Sequence, residues 1–444
     1  MRDLTRGVPQ KLIRRFTAPL LISNLLIQLY QVADAVIVGR FLGKEALAAV
    51  GTSVPLVFVL ISLMIGCGIG STVQISQYFG SRNIDRIKAV IDTMTVFIVT
   101  SSLLMTCIGI WIHPVLLHWL HTPQDVLPQA SAYLTVYLIG ILPLFSVNST
   151  TAVLRGLGDS YTPFLYILLS TVLNIVLDLV FIQGFGWGIR GVAWATVITE
   201  SLVGLLLIVY LNRRHPVVRI RLLTAHFDWN VFRTSLKIGL PTGLHQTFTS
   251  MGNAAMLRII SPFGTAALAA YTGVSRIEMF IMAMMSAYGM TATAYVGQHI
   301  GAHAFMRLFK GVRVSIALAV QQALVLSVAL VLARTLLMQW FTRSEDLAVI
   351  ELGAQYLSIV APFYLVYAIT TVLNGALRGA GDTLIPMFIS LVSLWIIRIP
   401  LASCLSAFWD IRGIWWAIPV GWIIGLILYA LYGYRQINRL GQPA

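Results

Sequence analysis

Long apolar segments alternate with short polar segments along almost the whole chain. A helix needs about 20 predominantly apolar residues to cross the hydrocarbon core of a bilayer. Closed β-barrels show only short alternating stretches, so the pattern predicts an all-α polytopic membrane protein. We predict twelve transmembrane helices, at residues 16–39, 50–78, 88–112, 131–154, 162–184, 191–211, 235–259, 268–297, 309–334, 350–376, 384–408 and 414–434.

Composition supports a membrane location. Of the 444 residues, 58% are hydrophobic and 10% are charged, and the mean hydropathy is +0.85. A soluble domain of this composition would expose large apolar patches. The net charge of +14 would suggest nucleic-acid binding in a soluble chain. Here the basic residues cluster in short segments between apolar runs, so we expect a lipid bilayer and no nucleic acid as partner.

The distribution of Lys and Arg predicts the orientation of the chain. If the N-terminus is inside, 21 of the 30 basic residues fall in inner segments and seven in outer segments. This bias predicts that both termini are cytoplasmic.

An internal repeat divides the chain into two halves. The sequence RGLGDSYTP at residues 155–163 is matched by RGAGDTLIP at residues 378–386, at an offset of 223, and GKEALAA from Gly43 matches GTAALAA from Gly264, at an offset of 221. One six-helix unit therefore occurs twice. Because six is even, both copies start on the same side, which predicts a pseudo-two-fold axis along the membrane normal.

The repeat predicts an N-terminal lobe at residues 1–211 (helices one to six), a basic cytoplasmic linker at residues 212–233, and a C-terminal lobe at residues 234–444 (helices seven to twelve). The linker carries Arg213, Arg214, Arg219 and Arg221, which we expect to lie on anionic lipid headgroups. Repeats of this kind place a substrate site between the halves, with alternating access by rocking of one half against the other.

Two aspartates lie inside predicted spans. Asp34 follows Arg15 by nineteen residues and Asp178 follows Asp159 by nineteen. With a rise of 1.5 Å per residue, both carboxylates should lie about 28 Å from the inner face. Thr196 belongs to a span that runs inward and lies about 9 Å below the outer face. The three side chains are therefore predicted at a common depth.

Polar residues four positions away share a helix face with these three. A carboxylate in hydrocarbon is costly unless it is solvated or paired, and desolvation and mutual repulsion oppose the ionisation of two neighbouring carboxylates. Such a cluster can take up a proton, or it can bind Na⁺ at Asp34 and Asp178 with amide and hydroxyl oxygens completing the shell. The choice between H⁺ and Na⁺ stays open. The predicted ion-coupling cluster is Tyr30, Asp34, Asn174, Asp178, Thr196 and Glu200.

Several motifs resemble those of the multidrug and toxic compound extrusion (MATE) transporters, across essentially the full length of the chain. They are YQVAD at residues 30–34 followed by Gly39 and Arg40, the two RGxGD turns before Pro163 and Pro386, GVAWAT at residues 191–196, and GQHIGA at residues 297–302. Their order and their doubling make the resemblance specific.

The resemblance implies a V-shaped fold of two six-helix lobes in a bacterial inner membrane. It also implies export of small organic cations or amphipathic drugs by H⁺ or Na⁺ antiport. We expect a monomer that needs no cofactor. The family's first-lobe coupling residues match Asp34, Asn174, Asp178 and Thr196 of this sequence. Carboxylates of the NorM-like branch are missing from residues 235–259 and 356–376. The resemblance is therefore to DinF-like or MepA-like members.

Residues for substrate binding are less clearly marked. Met256, Met282 and Tyr288 belong to a Met-rich and aromatic part of the second lobe that could hold flat, apolar cations. Arg398, just before Pro400, could hold an anionic group or form a structural ion pair. Arg276 and Glu278, two residues apart, point to different sides of a helix.

Two other functions compete with drug export. A flippase for a lipid-linked oligosaccharide or cell-wall precursor belongs to the same superfamily, but such proteins often have two more helices and a more basic cavity. An intramembrane enzyme would need a nucleophile with a base, or a metal cluster, and the sequence offers neither. We therefore expect a transporter and no enzyme.

Overall fold

The computed structural model describes residues 2–119, 122–215, 218–220, 224–340 and 346–440. Within these ranges the chain is almost entirely helical and contains no strand. The helices are α1 (Pro9–Phe41), α2 (Gly43–Gly80), α3 (Ile84–Trp119), α4 (Leu127–Ile139), α5 (Ile141–Gly156), α6 (Tyr161–Leu179), α7 (Gly188–Arg214), α8 (Trp229–Ile260), α9 (Thr265–Gly301), α10 (Phe305–Gln339), α11 (Leu347–Val360), α12 (Tyr364–Gly379), α13 (Leu384–Leu391) and α14 (Ile399–Leu440).

Helices occupy all twelve predicted spans, but three boundaries differ from the prediction. The span 131–154 is divided into α4 and α5, which are bent by 51°. The span 350–376 contains a short 3-10 turn between α11 and α12. The span 384–408 starts in α13 and passes through a π-helical segment, Val392–Arg398, into α14. Helix α14 then continues into the last span, and Trp409 and Asp410 between the two spans have non-helical backbone angles.

Length and composition alone mark fewer spans than the repeat predicts. Among the residues that the structure describes, eight helices are long and apolar enough to cross a membrane, or nine if α4 and α5 together count as one span. This count treats Leu384–Gln436 as a single helix, although that range holds two predicted spans. Polar side chains such as Lys237, His245 and Asn253 lower the hydropathy of α8.

The first compact unit contains Ile22–Gly243. In it, α2 packs against α3, α4 and α5, while α7 packs against α4, α5 and α6. The start of α8 belongs to this unit, because Gln74 on α2 donates to the backbone carbonyl of Val231 at 3.3 Å. Apolar side chains of α2, α3, α5 and α7 form a core with Val231.

The second compact unit contains Leu4–Leu21 and the chain from Leu244 onward. In it, α9 packs against α10, α11 and α12. The start of α1 belongs here, because the Leu4 N–H donates to the Gln298 side chain at 2.8 Å and the hydroxyls of Thr17 and Thr291 lie 2.9 Å apart. The two units therefore differ from the predicted lobes, residues 1–211 and 234–444, in two places. The start of α1 belongs to the second unit and the start of α8 belongs to the first.

The sequence repeat is also a repeat of contacts. In the first unit the Thr72 hydroxyl of α2 donates to the backbone carbonyl of Ala152 on α5 at 3.0 Å. In the second unit the Thr293 hydroxyl of α9 donates to the carbonyl of Gly375 on α12, also at 3.0 Å. The two donors are 221 residues apart and the two acceptors 223 apart, so the offsets of the sequence motifs recur in the packing.

The RGxGD turns connect α5 to α6 and α12 to α13. Their second glycines, Gly158 and Gly381, have φ values of 81° and 87°, a region that glycine enters without a steric penalty. Asp159 then accepts hydrogen bonds from the Tyr161 and Thr162 N–H groups at 3.1 and 3.0 Å, which caps the first turn of α6.

The segment between α7 and α8 is shorter than the predicted linker. Helix α7 extends to Arg214 and α8 starts at Trp229, where Asp228 accepts from the Asn230 N–H at 2.8 Å. Residues 216–217 and 221–223, including Arg221, lie outside the described residues. Contact of this basic segment with lipid headgroups stays a prediction.

Candidate ion-binding site

Three helices of the first unit carry the six predicted ion-coupling residues. Helix α1 carries Tyr30 and Asp34, α6 carries Asn174 and Asp178, and α7 carries Thr196 and Glu200. Members of each pair are four residues apart and therefore lie on one face of their helix.

Thr196 connects the three helices. Its hydroxyl oxygen accepts a hydrogen bond from the Asn174 side-chain amide at 3.3 Å, and the Tyr30 hydroxyl lies 3.5 Å from the same atom. The backbone carbonyl of Val192, one turn earlier on α7, lies 3.3 Å from the Thr196 hydroxyl and can accept its proton. One hydroxyl therefore holds polar groups of α1 and α6 against α7.

The two aspartates interact electrostatically, because the charge of Asp34 acts on Asp178. Asp178 is 0% exposed and Asn174, one turn earlier on α6, is 2% exposed. Oδ1 of Asp34 is buried and has no hydrogen-bond partner within the described part of the chain. Leaving a buried acceptor unsatisfied costs about 1–3 kcal/mol. A role in helix packing alone does not explain why the chain has a carboxylate at this position.

Glu200 lies at the edge of the cluster. The Ser170 hydroxyl of α6 donates to Glu200 Oε1 at 3.1 Å, and the Glu200 charge acts on Tyr30. Glu200 is half-buried. Glu200 therefore acts on the Tyr30 end of the cluster and has a hydrogen-bond partner of its own.

Two tyrosines of α4 were missed by the sequence analysis. Tyr133 is 9% exposed, and the charges of Asp34 and Asp178 both act on it. The ring of Tyr137 lies 6.0 Å from that of Tyr133, centroid to centroid, and is influenced by Glu200. The sequence signal for them was a pair of tyrosines four residues apart in an apolar span. Because tyrosine is uncharged, the search for charged residues within spans did not select them.

The predicted substrate residues occupy different environments in the second unit. Met256 is fully buried in the core, and buried Tyr288 donates to Gln322 at 2.7 Å. Met282 is half-buried. Packing accounts for the positions of Met256 and Tyr288, while a role for them in substrate binding stays a prediction.

Arg398 and Glu278 differ from these residues because they are charged. Arg398 ends a π-helical segment, Val392–Arg398, and its Nε is buried without a hydrogen-bond partner in the described part of the chain. Glu278 accepts hydrogen bonds from the hydroxyls of Tyr356 and Tyr364, whereas Arg276 is exposed.

The chemistry of the first-unit cluster suits a small hard cation. Carboxylate, amide and hydroxyl oxygens are the ligands that such cations prefer, and a carboxylate deprived of water also accepts a proton readily. Asp34, Asp178, Asn174, Thr196 and Tyr30 supply all three kinds of oxygen. These ligand types are compatible with H⁺ or Na⁺, and binding of either ion here stays a prediction.

Apolar helices in two repeated units, with carboxylates buried among them, define a membrane transporter. The MatE family model matches residues 19–180 and again residues 241–403, and the chain belongs to this family of multidrug transporters. The two matches start 222 residues apart (residues 19 and 241), which confirms the predicted internal repeat.

Curated relatives cover nearly the same length. The chain is 32% identical to the probable multidrug resistance protein YoeA of Bacillus subtilis strain 168, over 96% of this chain and 95% of YoeA. It is 29% identical to YpnP of the same strain, over 99% and 98%. It is 26% identical to a probable NorM of Thermotoga maritima, over 90% and 87%. The DinF-like or MepA-like branch stays a prediction.

Solved structures confirm the predicted fold class. A crystal structure of MATE in complex with MaL6 matches with a TM-score of 0.92 and 23% identity, over 99% of this chain and 98% of that chain. An outward-facing conformation of a multidrug resistance MATE family transporter of the MOP superfamily also matches with a TM-score of 0.92, at 24% identity over 98% of both chains. At this level of identity the likeness shows the fold alone.

Proposed function

We propose that the protein exports small organic cations or amphipathic drugs by alternating access, in exchange for H⁺ or Na⁺ that binds at the first-unit carboxylates. Asp34 is the principal ion-binding group and Asp178 is its partner. Asn174, Thr196 and Tyr30 supply the surrounding polar shell, and Glu200 flanks it. The protein needs no cofactor, because the ion gradient supplies the driving free energy.

The observation that carries this proposal is the buried Asp34 Oδ1. It has no hydrogen-bond partner in the described part of the chain, and a second carboxylate lies close enough to repel it. Both features disfavour the ionisation of both carboxylates. Binding of a proton or a cation removes this penalty, so the site favours an ion-bound state.

Helix α1 provides a route from ion binding to transport. Its residues up to Leu21 belong to the second unit, while Asp34 lies in the part that belongs to the first unit. Pro19 lies within this helix, and a proline removes one helical hydrogen bond and permits a bend. Ion binding at Asp34 therefore acts on a helix that is shared by both units.

Export should be measured in proteoliposomes loaded with a fluorescent cation, with ΔpH and ΔNa⁺ imposed separately. Asp34→Asn should lower gradient-driven export at least about tenfold, the effect of losing roughly 1.4 kcal/mol of coupling. The matched control is Asp85→Asn, because Asp85 lies in the first unit with a side chain that is 94% exposed and paired with Lys88. Undiminished gradient-driven export by Asp34→Asn would contradict the mechanism.

The same vesicles distinguish the competing function. A flippase would move a labelled precursor lipid between the leaflets and would leave the fluorescent cation in place. Cation export without lipid translocation supports the exporter, and the reverse result supports the flippase. We further propose a multi-pass monomer of the bacterial inner membrane with both termini in the cytoplasm, because basic residues are concentrated in the inner segments.

A further inference from the structure

Helices α6 and α7 share a line of polar contacts that begins at the aspartate cluster. Asn174 contacts Thr196 at 3.3 Å, and one turn further along both helices Ser170 contacts Glu200 at 3.1 Å. The residue numbers change by four in opposite directions, as expected for the facing sides of two antiparallel helices. The polar line consists of Asn174, Ser170, Tyr166 and Thr162 of α6 with Thr196, Glu200 and Tyr210 of α7.

The polar line continues to the RGLGD turn at the start of α6. The hydroxyls of Thr162 and Tyr210 lie 3.2 Å apart, and the Thr162 hydroxyl donates to Oδ2 of Asp159 at 2.7 Å. The charge of Asp159 acts on His215, the first residue after α7. In the proposed orientation this turn is cytoplasmic, so the polar line leads from the aspartate cluster toward the inner face.

One turn of the polar line lacks a hydrogen bond among the described residues. Tyr166 occupies this turn of α6, and its ring lies 6.2 Å from that of Tyr210, centroid to centroid. By the same count of four, the paired position on α7 is Gly204, which has no side chain. Polar groups separated in this way can be connected by a bridging water. Proton transfer past Tyr166 therefore depends on the entry of water.

The polar line is shielded from lipid. Its residues on α6 and on α7 are all buried or half-buried. The exposed side chains of α6 between Thr162 and Asp178 are apolar, namely Leu165, Leu168, Leu169, Val172 and Val176. Helix α6 therefore presents an apolar face to the bilayer and its polar groups to α7.

Glu200 is the carboxylate of the polar line. No other Asp or Glu occurs within residues 161–177 and 197–214. The Ser170 hydroxyl donates to Glu200 Oε1, and the titratable side chains that respond to the Glu200 charge are Tyr30 of α1 and Tyr137 of α4. A packing contact between membrane helices needs only a hydroxyl or an amide, whereas buried carboxylates of transporters form proton relays.

We propose that Glu200 is a proton relay, which takes the proton that Asp34 releases and passes it along the polar line to the cytoplasmic side. In the first step the O–H bond of protonated Asp34 breaks and an O–H bond forms on Glu200, so Asp34 becomes charged and Glu200 neutral. The Tyr30 hydroxyl, on which both charges act, can accept one proton and donate another in this step. In the second step Glu200 gives the proton to water and becomes a carboxylate again.

The relay rests on the proposed function, because it needs Asp34 to carry the coupling ion. It names H⁺ as that ion. Hydroxyl groups donate one proton while they accept another, whereas Na⁺ needs several oxygen ligands at the same time. A single file of hydroxyls beside one carboxylate therefore suits a proton.

Proteoliposomes loaded with a fluorescent cation test the relay under ΔpH without Na⁺. Glu200→Gln keeps an oxygen that accepts from Ser170 but cannot take up the proton. Because a positioned proton-transfer group contributes about 10²–10⁴-fold to a rate, ΔpH-driven export should fall at least about tenfold. Exchange of labelled for unlabelled cation at equal pH needs no proton release and should keep the wild-type rate. Heavy water should slow export by Glu200→Gln by a larger factor than export by the wild type, since proton release then limits the cycle.

Two matched pairs of variants separate the polar line from general packing. Tyr166→Phe should lower ΔpH-driven export about threefold, whereas Tyr161→Phe, at an exposed position of the same helix, should not. Ser170→Ala should act in the same direction as Tyr166→Phe. Thr171→Val removes a hydroxyl that donates to a carbonyl of its own helix, and this variant should export like the wild type. Elution volume and melting temperature verify that each variant is folded.

Three results for Glu200→Gln would overturn the relay: ΔpH-driven export at the wild-type rate, equal losses of export and exchange, or the same isotope effect as the wild type. Wild-type export driven by ΔNa⁺ and not by ΔpH would also overturn it, while ion coupling at Asp34 would stand. Loss of export in Asp34→Asn with full export in Glu200→Gln would contradict only the relay. Full export in both variants would contradict the proposed function as well.

Discussion

The side-chain amide of Asn174 donates a hydrogen bond to the Thr196 hydroxyl at 3.3 Å, and this contact joins α6 to α7 one turn from Asp178. The Tyr30 hydroxyl of α1 approaches the same oxygen. Thr196 is uncharged, yet its hydroxyl on α7 is the atom that polar side chains of α1 and α6 both approach. Each of these three helices carries a carboxylate of the cluster.

Removing the Thr196 hydroxyl should weaken ion binding while the fold is retained. Thr196→Val keeps the β-branched shape but removes the hydrogen bond from the Asn174 amide, at a cost of about 1 kcal/mol. We expect the apparent KM for the coupling ion to rise about fivefold to tenfold. Export measured against a series of ΔpH or ΔNa⁺ values gives this constant. Thr196→Ser keeps the hydroxyl and should behave like the wild type, so an equal loss in both variants would refute this role.

Asp34 and Asp178 should behave as one site and not as two independent groups. If they share the ion, Asp34→Asn already removes most of the coupling and Asp178→Asn adds little to it. We expect gradient-driven export by the double variant to lie within about twofold of the Asp34→Asn value, as in coupled residues whose effects are not additive. The measurement is the gradient-driven export rate of the wild type, the two single variants and the double variant. If the loss in the double variant equals the product of the losses in the two single variants, the aspartates form separate sites.

Close packing of α9 and α12 should make the second unit sensitive to a single methyl group. A Cβ added at Gly375 would lie 2.2 Å from the backbone oxygen of Gly289, and backbone cannot yield as a flexible side chain does. Gly375→Ala should therefore cost about 1–3 kcal/mol of stability. The melting temperature of the purified protein should fall by several degrees.

The control for this prediction is Gly433→Ala in α14, where an added Cβ meets no atom within 4 Å. Alanine stabilises a helix relative to glycine by up to about 1 kcal/mol, so this variant should melt at the wild-type temperature or above it. Equal melting temperatures of the two variants would show that the contact at Gly375 can relax.

Sequence reasoning reached the fold because membrane crossing imposes simple requirements. A spanning segment must be long and apolar, and the doubled RGxGD turns are short, polar and glycine-dependent. Depth along straight helices and a spacing of four residues also brought Asp34, Asn174 and Thr196 into one prediction. Each of these inferences needs only the rise and the periodicity of an α-helix.

Other features depend on tertiary packing, which the pattern does not encode. Tyr133 resembles any aromatic residue of an apolar span until α4 is packed against α2, α3 and α7, where the charges of Asp34 and Asp178 act on it. The exchange of the starts of α1 and α8 between the units, seen in the contact of Leu4 with Gln298, has no counterpart in hydropathy. The hydrogen-bond partners of Glu278 likewise come from α11 and α12, which lie 78 and 86 residues further along the chain.

Labelling of single cysteines should show which side of the membrane each connection faces. Asp85 lies near the start of α3 in a basic segment, and Asp125 precedes α4 in a segment without Lys or Arg. Both side chains are exposed. If both termini are cytoplasmic, an impermeant maleimide added to whole cells should label Asp125→Cys and leave Asp85→Cys unlabelled until the cells are broken.

The background for this experiment replaces Cys67, Cys107 and Cys404 with serine, because the latter two are exposed. Labelling should differ between the two positions by at least about tenfold, since a membrane-impermeant reagent reaches only one face. Labelling of Asp85→Cys in intact cells would reverse the orientation that the positive-inside rule predicts. It would also place the Asp34 cluster near the cytoplasmic face, where an inward proton gradient would load the site from the wrong side for export.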